Sequence, residues 1–162
     1  MVPHNFDNYI LIKNIREGLK LFVICSAMFK NAHKRLLIVD DSRDNQILLE
    51  MLFKAYGYQV LCASDGQEAL DILEHLKLLP HLILLDAQMP IMNGHDFRLE
   101  QKSDSRFKNI PVVVMTADDD LNEIYSDMVQ PEDILLKPLQ IKSVIQRVSA
   151  TLERFEEQQL LH

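Results

Sequence analysis

Short apolar runs recur along the chain from Leu36 onward, and polar residues, glycine or proline separate them. Runs of three to five apolar residues are typical of strands that are buried on both faces of a parallel sheet. We assign five strands, at residues 36–41, 59–63, 82–85, 112–115 and 134–136. The third run ends on Asp86 and enters a loop that contains Pro90, which cannot donate to a sheet ladder. The pattern therefore predicts that this strand stops near Asp86.

The segments between these strands carry apolar residues on one face at helical spacing. They predict five helices, at residues 44–56, 66 to near Pro80, 95–103, 118–128 and 139 to near Phe155. Strand starts fall 22 to 30 residues apart, which is the length of a right-handed crossover unit. Strict alternation of this kind predicts an α/β fold, a doubly wound five-stranded parallel sheet with helices on both faces.

Polar side chains stand where four of the predicted strands end: Asp40 and Asp41, Asp86, Thr116 and Lys137. If the first strand lies beside the third, the carboxylates face each other across the crevice at the carboxyl edge of the sheet. Crowded carboxylates need a compensating cation, and oxygen ligands with room for water favour Mg²⁺. A hydroxyl and an ammonium suit the oxygens of a phosphoryl group, so the constellation predicts phosphoryl chemistry at a carboxylate.

Five motifs occur in order over residues 36 to 138, and together they resemble the receiver domain of two-component response regulators. They are LLIVDDSRDN, ASDGQEAL, LILLDAQMPIMNG, VVVMTA and LLKP, and the resemblance extends to about residue 155. It implies the strand order 2-1-3-4-5 of CheY-like and flavodoxin-like sheets. It also implies that Asp86 is the phospho-acceptor.

The resemblance assigns further roles to the residues at the strand ends. Asp41 would bind Mg²⁺ directly, Asp40 would help as a ligand or through a water, and Asp86 and the backbone carbonyl of Gln88 would complete the protein ligands. Thr116 would hydrogen-bond the phosphoryl group and Lys137 would contact it. The bond between Lys137 and Pro138 resembles one that is cis in this family.

Two positions depart from the family pattern. Ile134 stands three residues before the lysine, where the family usually has Tyr or Phe as half of its switch. Gln130-Pro131-Glu132 replaces the usual small-residue turn before the fifth strand. An aromatic readout at 134 is therefore ruled out, and the partner surface is the part of the family pattern that transfers least.

Composition sets the domain plan and the expected surroundings. The net charge of −7 is uneven, +4 over residues 1–35 and −11 over 36–162, so we expect no nucleic-acid surface. We expect an N-terminal extension at 1–34, helical or disordered, a receiver domain at 35–158 and a tail at 159–162. Translation starting near Met28 remains open.

The sequence predicts a cytoplasmic protein. It has two cysteines, no apolar run long enough to span a membrane and no recognisable secretory signal.

These observations predict a stand-alone response regulator rather than an enzyme. A histidine kinase or histidine phosphotransfer protein would phosphorylate Asp86, the domain could catalyse its own phosphorylation and dephosphorylation, and output would be a protein contact. A homodimer, the cognate kinase and the target remain open. Two alternatives also remain: a phosphorylation-independent adaptor, which Ile134 permits, and a small phosphohydrolase with an aspartyl nucleophile. The hydrolase is disfavoured because Gln88 stands where such enzymes usually carry a second Asp.

Overall fold

A five-stranded, all-parallel sheet forms the centre of the molecule, in the order β2-β1-β3-β4-β5. The computed structural model describes residues 30–117, 125 and 128–161. The strands are β1 (Arg35–Val39), β2 (Gln59–Ala63), β3 (Leu82–Asp86), β4 (Val112–Thr116) and β5 (Ile134–Leu136). The parallel arrangement and the order 2-1-3-4-5 are as predicted, and so are the strand positions to within one residue, except that β1 ends at Val39, two residues before its predicted end. After β1 the chain adds β2 on one side, and it then adds β3, β4 and β5 on the other side. Because the connections from β1 and β3 therefore leave on opposite faces of the sheet, a crevice opens at the carboxyl ends of these two strands.

Four helices lie in the described part of the chain: α1 (Arg43–Ala55), α2 (Gly66–His75), α3 (Gly94–Ser103) and α4 (Ile141–Leu160). The fourth predicted helix, at 118–128, lies outside the described residues except for Tyr125 and Met128. α2 ends earlier than the predicted limit near Pro80, because Leu76 already has extended dihedral angles. A short 3-10 turn, Pro131–Asp133, leads into β5.

Side chains that cap the helices fix where three of them begin. The Ser42 hydroxyl accepts from the backbone N–H of Asn45 at the start of α1. Asp65 and Asn93 accept in the same way from residues of the first turns of α2 and α3. Each cap satisfies one of the free N–H groups of a first turn, and each helix therefore begins just after the crevice edge of the sheet.

The core forms two layers, one on each face of the sheet, because successive strand residues point to opposite faces. Leu37, Ile83 and Val114 face α2 and α3, while Leu36, Leu84 and Met115 face α1 and α4. All five residues of β3 are buried. The run of apolar residues before Asp86 thus places this carboxylate at the end of a fully buried strand.

Residues 30–34 pack along α4 instead of standing apart from the domain. The Lys30 ammonium lies 2.6 Å from a Glu153 carboxylate oxygen, and the largely buried Lys34 lies 2.5 Å from Glu156. The Asn31 side chain donates to the backbone carbonyl of Tyr56. The remainder of the predicted 1–34 extension lies outside the described residues, and the domain boundaries stay predictions.

No helix in the described ranges is both long enough and apolar enough to cross a membrane. The cytoplasmic location stays a prediction.

Candidate functional site

Three carboxylates come together at the carboxyl edge of the sheet. Oxygens of Asp40, Asp41 and Asp86 all lie within 4.8 Å of one another. Asp40 and Asp86 are buried, whereas Asp41 is exposed at the mouth of the crevice. The pairing of β1 with β3, in which Val39 lies opposite Leu85, brings these acids together although they are far apart in the sequence.

Asp40 is held by the turn that begins α1. Its carboxylate accepts from the backbone N–H of Ser42 at 2.9 Å and from the side-chain amide of Asn45 at 3.2 Å. Burial raises the pKa of Asp40, and the nearby negative charge of Asp86 acts in the same direction. The hydrogen bonds and the Lys137 ammonium oppose that rise. Asp40 is therefore a buried acid that depends on neighbouring cations and donors to remain charged.

Lys137 is the cation that reaches this cluster. Its Nζ lies 2.6 Å from Asp86 Oδ2 and 3.8 Å from Asp40 Oδ2. The other Asp86 oxygen, Oδ1, accepts from the backbone N–H of Gln88 at 3.2 Å. Both oxygens of Asp86 are thus oriented by donors.

The donor set fits a divalent cation. Three carboxylates and one ammonium leave two negative charges in excess when the acids are ionised, and Mg²⁺ prefers oxygen ligands of this kind. The exposed position of Asp41 leaves the cluster open on one side. The assignment of the Gln88 carbonyl as a ligand stays a prediction.

Thr116 and Lys137 are positioned by neighbouring strands. Thr116 is the last residue of β4 and is fully buried, and its backbone carbonyl accepts from the Lys137 N–H at 2.7 Å. The peptide bond between Lys137 and Pro138 is cis, as the resemblance implied. One backbone hydrogen bond therefore fixes the lysine beside the threonine at the edge of the sheet.

The loop after Asp86, residues 87–93, turns tightly over the crevice. Gly94 follows this loop, and only glycine fits there, because a Cβ at this position would lie 2.4 Å from the carbonyl oxygen of Asp86. Ile91 has a φ of 66° and is 85% exposed. The loop borders a pocket of about 660 Å³ whose lining includes Asp41, Gln88 and Tyr125.

Two residues of this site were not anticipated from the sequence. The buried Gln46 side chain donates to the backbone carbonyls of Asp40 and Ala63, at 2.8 and 3.1 Å, and ties α1 to the ends of β1 and β2. Tyr125 is buried at the pocket wall. Gln46 falls on the inner face of a predicted helix as a polar residue, which is a weak signal of such a role, whereas no motif marks Tyr125.

A family model for the response regulator receiver domain matches residues 36–149. The chain belongs to this family. The receiver domain is similar in fold to a CheY-like receiver protein from Methanospirillum hungatei, with a TM-score of 0.68 at 19% identity over 77% of this chain and 98% of that one. The receiver domain of the Francisella response regulator 1452 gives a TM-score of 0.66 at 25% identity, over 75% and 98%.

Curated relatives of this receiver domain are longer proteins. A probable transcriptional regulator, ycf27 of Cyanophora paradoxa, is 33% identical over 126 residues, which are 76% of this chain and 50% of the relative. The DNA-binding response regulator MtrA of Mycolicibacterium smegmatis is 31% identical over 77% of this chain and 53% of its own length. The chain thus spans about half the length of these relatives, and its stand-alone status stays a prediction.

Ile134 occupies the position where the family pattern has Tyr or Phe. It begins β5 opposite Val114 and is only partly buried, packed against the layer that contains Val114 and Phe97. An aliphatic side chain at this receiver position cannot offer an aromatic hydroxyl to a partner.

Proposed function

We propose that the receiver domain accepts a phosphoryl group on Asp86 from a phosphohistidine of a kinase or phosphotransfer protein, and that the modified domain signals by protein contact. The observation that carries this proposal is the arrangement of Asp86, with Lys137 at 2.6 Å and two further carboxylates within 4.8 Å. A nucleophilic carboxylate beside an ammonium and a divalent cation site is suited to phosphoryl transfer.

In the proposed transfer, an oxygen of Asp86 forms a bond to phosphorus as the bond from phosphorus to the donor's imidazole nitrogen breaks. The electron pair of the broken bond stays on that nitrogen, so the donor leaves as a histidine. Asp40, Asp41 and Asp86 would hold Mg²⁺, which when bound neutralises charge on the phosphoryl oxygens. Lys137 would donate to the same oxygens, and Thr116, the last residue of β4, would contribute its hydroxyl to the phosphoryl group.

We place the donor's docking surface on α1. Ile47, Leu48 and Met51 are exposed apolar residues of this helix, at 41%, 56% and 68%. Leu48 also lines a groove of about 220 Å³ together with Lys137 and Ile141. Because this apolar surface is continuous with the acceptor site, a helix that carries the phosphohistidine would reach Asp86 from here.

The primary test is incubation with Mg²⁺ and acetyl phosphate, followed by intact mass measurement. We expect one added phosphoryl group on the wild-type chain and none on Asp86→Asn or in EDTA. Asp71→Asn, an exposed acid on α2, is the matched control and should still be labelled. A wild-type chain that takes up no phosphoryl group and binds no beryllium trifluoride would contradict the proposal, and the adaptor alternative would then lead.

The same experiment addresses the hydrolase alternative. A receiver domain accumulates a single adduct and releases phosphate only as that adduct decays, whereas a phosphohydrolase turns over an external phosphoester such as p-nitrophenyl phosphate many times. We propose that this chain is not such an enzyme, and sustained turnover would refute that part of the proposal.

A second test separates docking from chemistry. With any histidine kinase or phosphotransfer domain that labels the wild-type chain, Met51→Glu should slow the transfer about tenfold or more, since a charge replaces an interface contact. Labelling by acetyl phosphate should be unchanged. Leu78→Glu, an equally exposed position in the loop after α2, should leave both reactions unchanged.

We also propose that residues 36–162 contact proteins rather than nucleic acid, because their net charge of −11 opposes binding to phosphate backbones. The DNA binding named for MtrA is a property of that longer protein.

A further inference from the structure

The Tyr125 side chain is 1% exposed, and its hydroxyl is a buried polar atom with no hydrogen-bond partner among residues 30–117, 125 and 128–161. No other described side chain has such an orphaned nitrogen or oxygen atom. Native proteins rarely bury a hydroxyl without a partner, because the lost hydrogen bonds to water are not replaced. The position of this hydroxyl therefore needs a physical reason.

The hydroxyl lies against the backbone that leaves Asp86. A Cβ built on Gly94 would be 2.8 Å from the hydroxyl oxygen and 2.4 Å from the Asp86 carbonyl oxygen, so only glycine leaves room for both. Burial raises the pKa of Tyr125 above its ordinary value, and the negative charge of Asp86 raises it further. The hydroxyl thus stays protonated as a donor, and it lies within electrostatic range of the acceptor carboxylate.

Phosphorylation of Asp86 would supply a hydrogen-bond acceptor close to the Tyr125 hydroxyl, which has no partner among the described residues. A phosphoryl group on Asp86 adds strongly accepting oxygens, and its one to two negative charges replace the single charge of the carboxylate. Tyr125 also lines a pocket of about 660 Å³ together with Asp41 and with Ala87 and Gln88, the two residues that follow Asp86. A phosphoryl group on Asp86 would lie beside this space.

We propose that the Tyr125 hydroxyl donates a hydrogen bond to a phosphoryl oxygen carried by Asp86, and that this bond transmits phosphorylation to residues 128–129. This inference rests on the proposed function and adds to it a phosphoryl-binding residue outside the family motifs. The Tyr125 carbonyl accepts from the N–H groups of Met128 and Val129, at 2.8 and 2.9 Å. The Met128 carbonyl in turn accepts from the buried guanidinium of Arg98 on α3 at 2.8 Å. A displacement of Tyr125 would therefore be passed through these hydrogen bonds to α3 and to the segment that enters β5.

The test compares Tyr125→Phe, which removes only the hydroxyl, with Tyr58→Phe, a buried tyrosine in the layer on the other face of the sheet. Beryllium trifluoride with Mg²⁺ serves as the phosphoryl probe, and its affinity is measured by titration calorimetry. We expect Tyr125→Phe to weaken this affinity about tenfold or more, as for a lost hydrogen bond to a charged acceptor. Its thermal stability without the probe should be no lower than that of the wild type, and Tyr58→Phe should keep wild-type affinity.

The outcomes separate the two proposals. If the wild-type chain binds the probe and Tyr125→Phe binds within twofold of it, the role of Tyr125 is refuted and the proposed function stands. If the wild-type chain binds no probe, both the proposed function and the role of Tyr125 are refuted. A measurement on the wild type alone guards against misfolding of the variant: the probe should produce a protected Tyr125 hydroxyl proton and shift the Val129 amide in NMR spectra. Absence of both changes would also refute the proposal.

Discussion

Among single residues, Ile91 is under the clearest backbone strain. It is the one non-glycine residue of the described chain with a positive φ, 66°, and it is branched at Cβ. In this region the Cβ approaches the following carbonyl, at a cost of roughly 1–2 kcal/mol for an ordinary L-residue. The side chain is 85% exposed, so no core packing offsets the cost. The strain is located in the loop that follows Asp86.

We expect Ile91→Asn to raise the free energy of unfolding by about 1 kcal/mol, because asparagine tolerates the left-handed region better than isoleucine. Urea denaturation of both proteins measures the difference. Leu78→Asn is the matched control, since Leu78 is also exposed but has an ordinary backbone conformation. An equal change in the two variants would show that exposure rather than strain is responsible.

Residue identity at the site was largely predictable from the sequence, for a physical reason. These residues either end a strand, as Asp86 and Thr116 do, or follow within two residues of a strand end, as Asp40, Asp41 and Lys137 do. The ends of parallel strands meet at one edge of the sheet. Tyr125 could not be predicted in this way, because its place depends on how a separate segment packs over Gly94. The sequence marks neither that packing nor the missing hydrogen-bond partner of the hydroxyl.

Among the elements, α1 contributes most to the geometry of the site. Its capping turn carries Ser42 and Asn45, which hold Asp40, and Gln46 secures the helix to the strand ends. Its outer face exposes the proposed docking residues. The sequence predicted this helix to within one residue at each end, since its apolar spacing is regular and Gly57 follows it. It did not predict the hydrogen bonds of Gln46, which join residues from three elements.

We expect Gln46→Leu to lower the free energy of unfolding by about 1–3 kcal/mol, because the carbonyls of Asp40 and Ala63 each lose a buried donor. Affinity for Mg²⁺ should fall as well, since the turn that orients Asp40 loosens. Chemical denaturation and Mg²⁺ titration provide the two measurements. Gln67→Leu, on the exposed face of α2, should change stability by no more than about 0.5 kcal/mol. Unaltered stability in Gln46→Leu would contradict this account of α1.

A hydrogen bond that depends on pH connects the amino ends of β1 and β3, and we call it the His81 joint. The backbone N–H of Arg35 donates to His81 Nδ1 at 3.1 Å, so the ring must be unprotonated there. Burial lowers the pKa of His81, and the positive charges of His33, Lys34 and Arg35 lower it further. The stability that this joint contributes is therefore complete above the ordinary histidine pKa of about 6.5 and is lost as the pH falls through the lowered value.

We expect the free energy of unfolding of the wild type to fall more steeply between pH 7 and pH 5 than that of His81→Gln, which cannot take up a proton. Urea denaturation at several pH values measures both slopes. His75→Gln, an exposed histidine at the end of α2, should keep the wild-type slope. Parallel slopes for the wild type and His81→Gln would exclude His81 as the group responsible.

For the whole molecule, metal binding should stabilise the fold, because the three carboxylates that we propose as Mg²⁺ ligands come together only in the folded chain. At ten times its dissociation constant, Mg²⁺ should raise the free energy of unfolding by about 1.4 kcal/mol. Thermal denaturation with Mg²⁺ and with EDTA measures this gain. Asp41→Asn should lose it with little change in metal-free stability, since Asp41 is exposed, and Asp71→Asn should keep it. A full gain in Asp41→Asn would remove Asp41 from the metal site.

The crossover topology has a consequence for when, during synthesis, the proposed phosphoryl transfer becomes possible. Asp40 and Lys137 lie 3.8 Å apart although roughly 100 residues separate them, and only β3 and β4 connect β1 to β5 in the sheet. A chain still leaving the ribosome has exposed Asp86 before β5 and the lysine that follows it have been made. On the proposed function, we expect such unfinished chains to accept no phosphoryl group, because the ammonium that would contact it is missing.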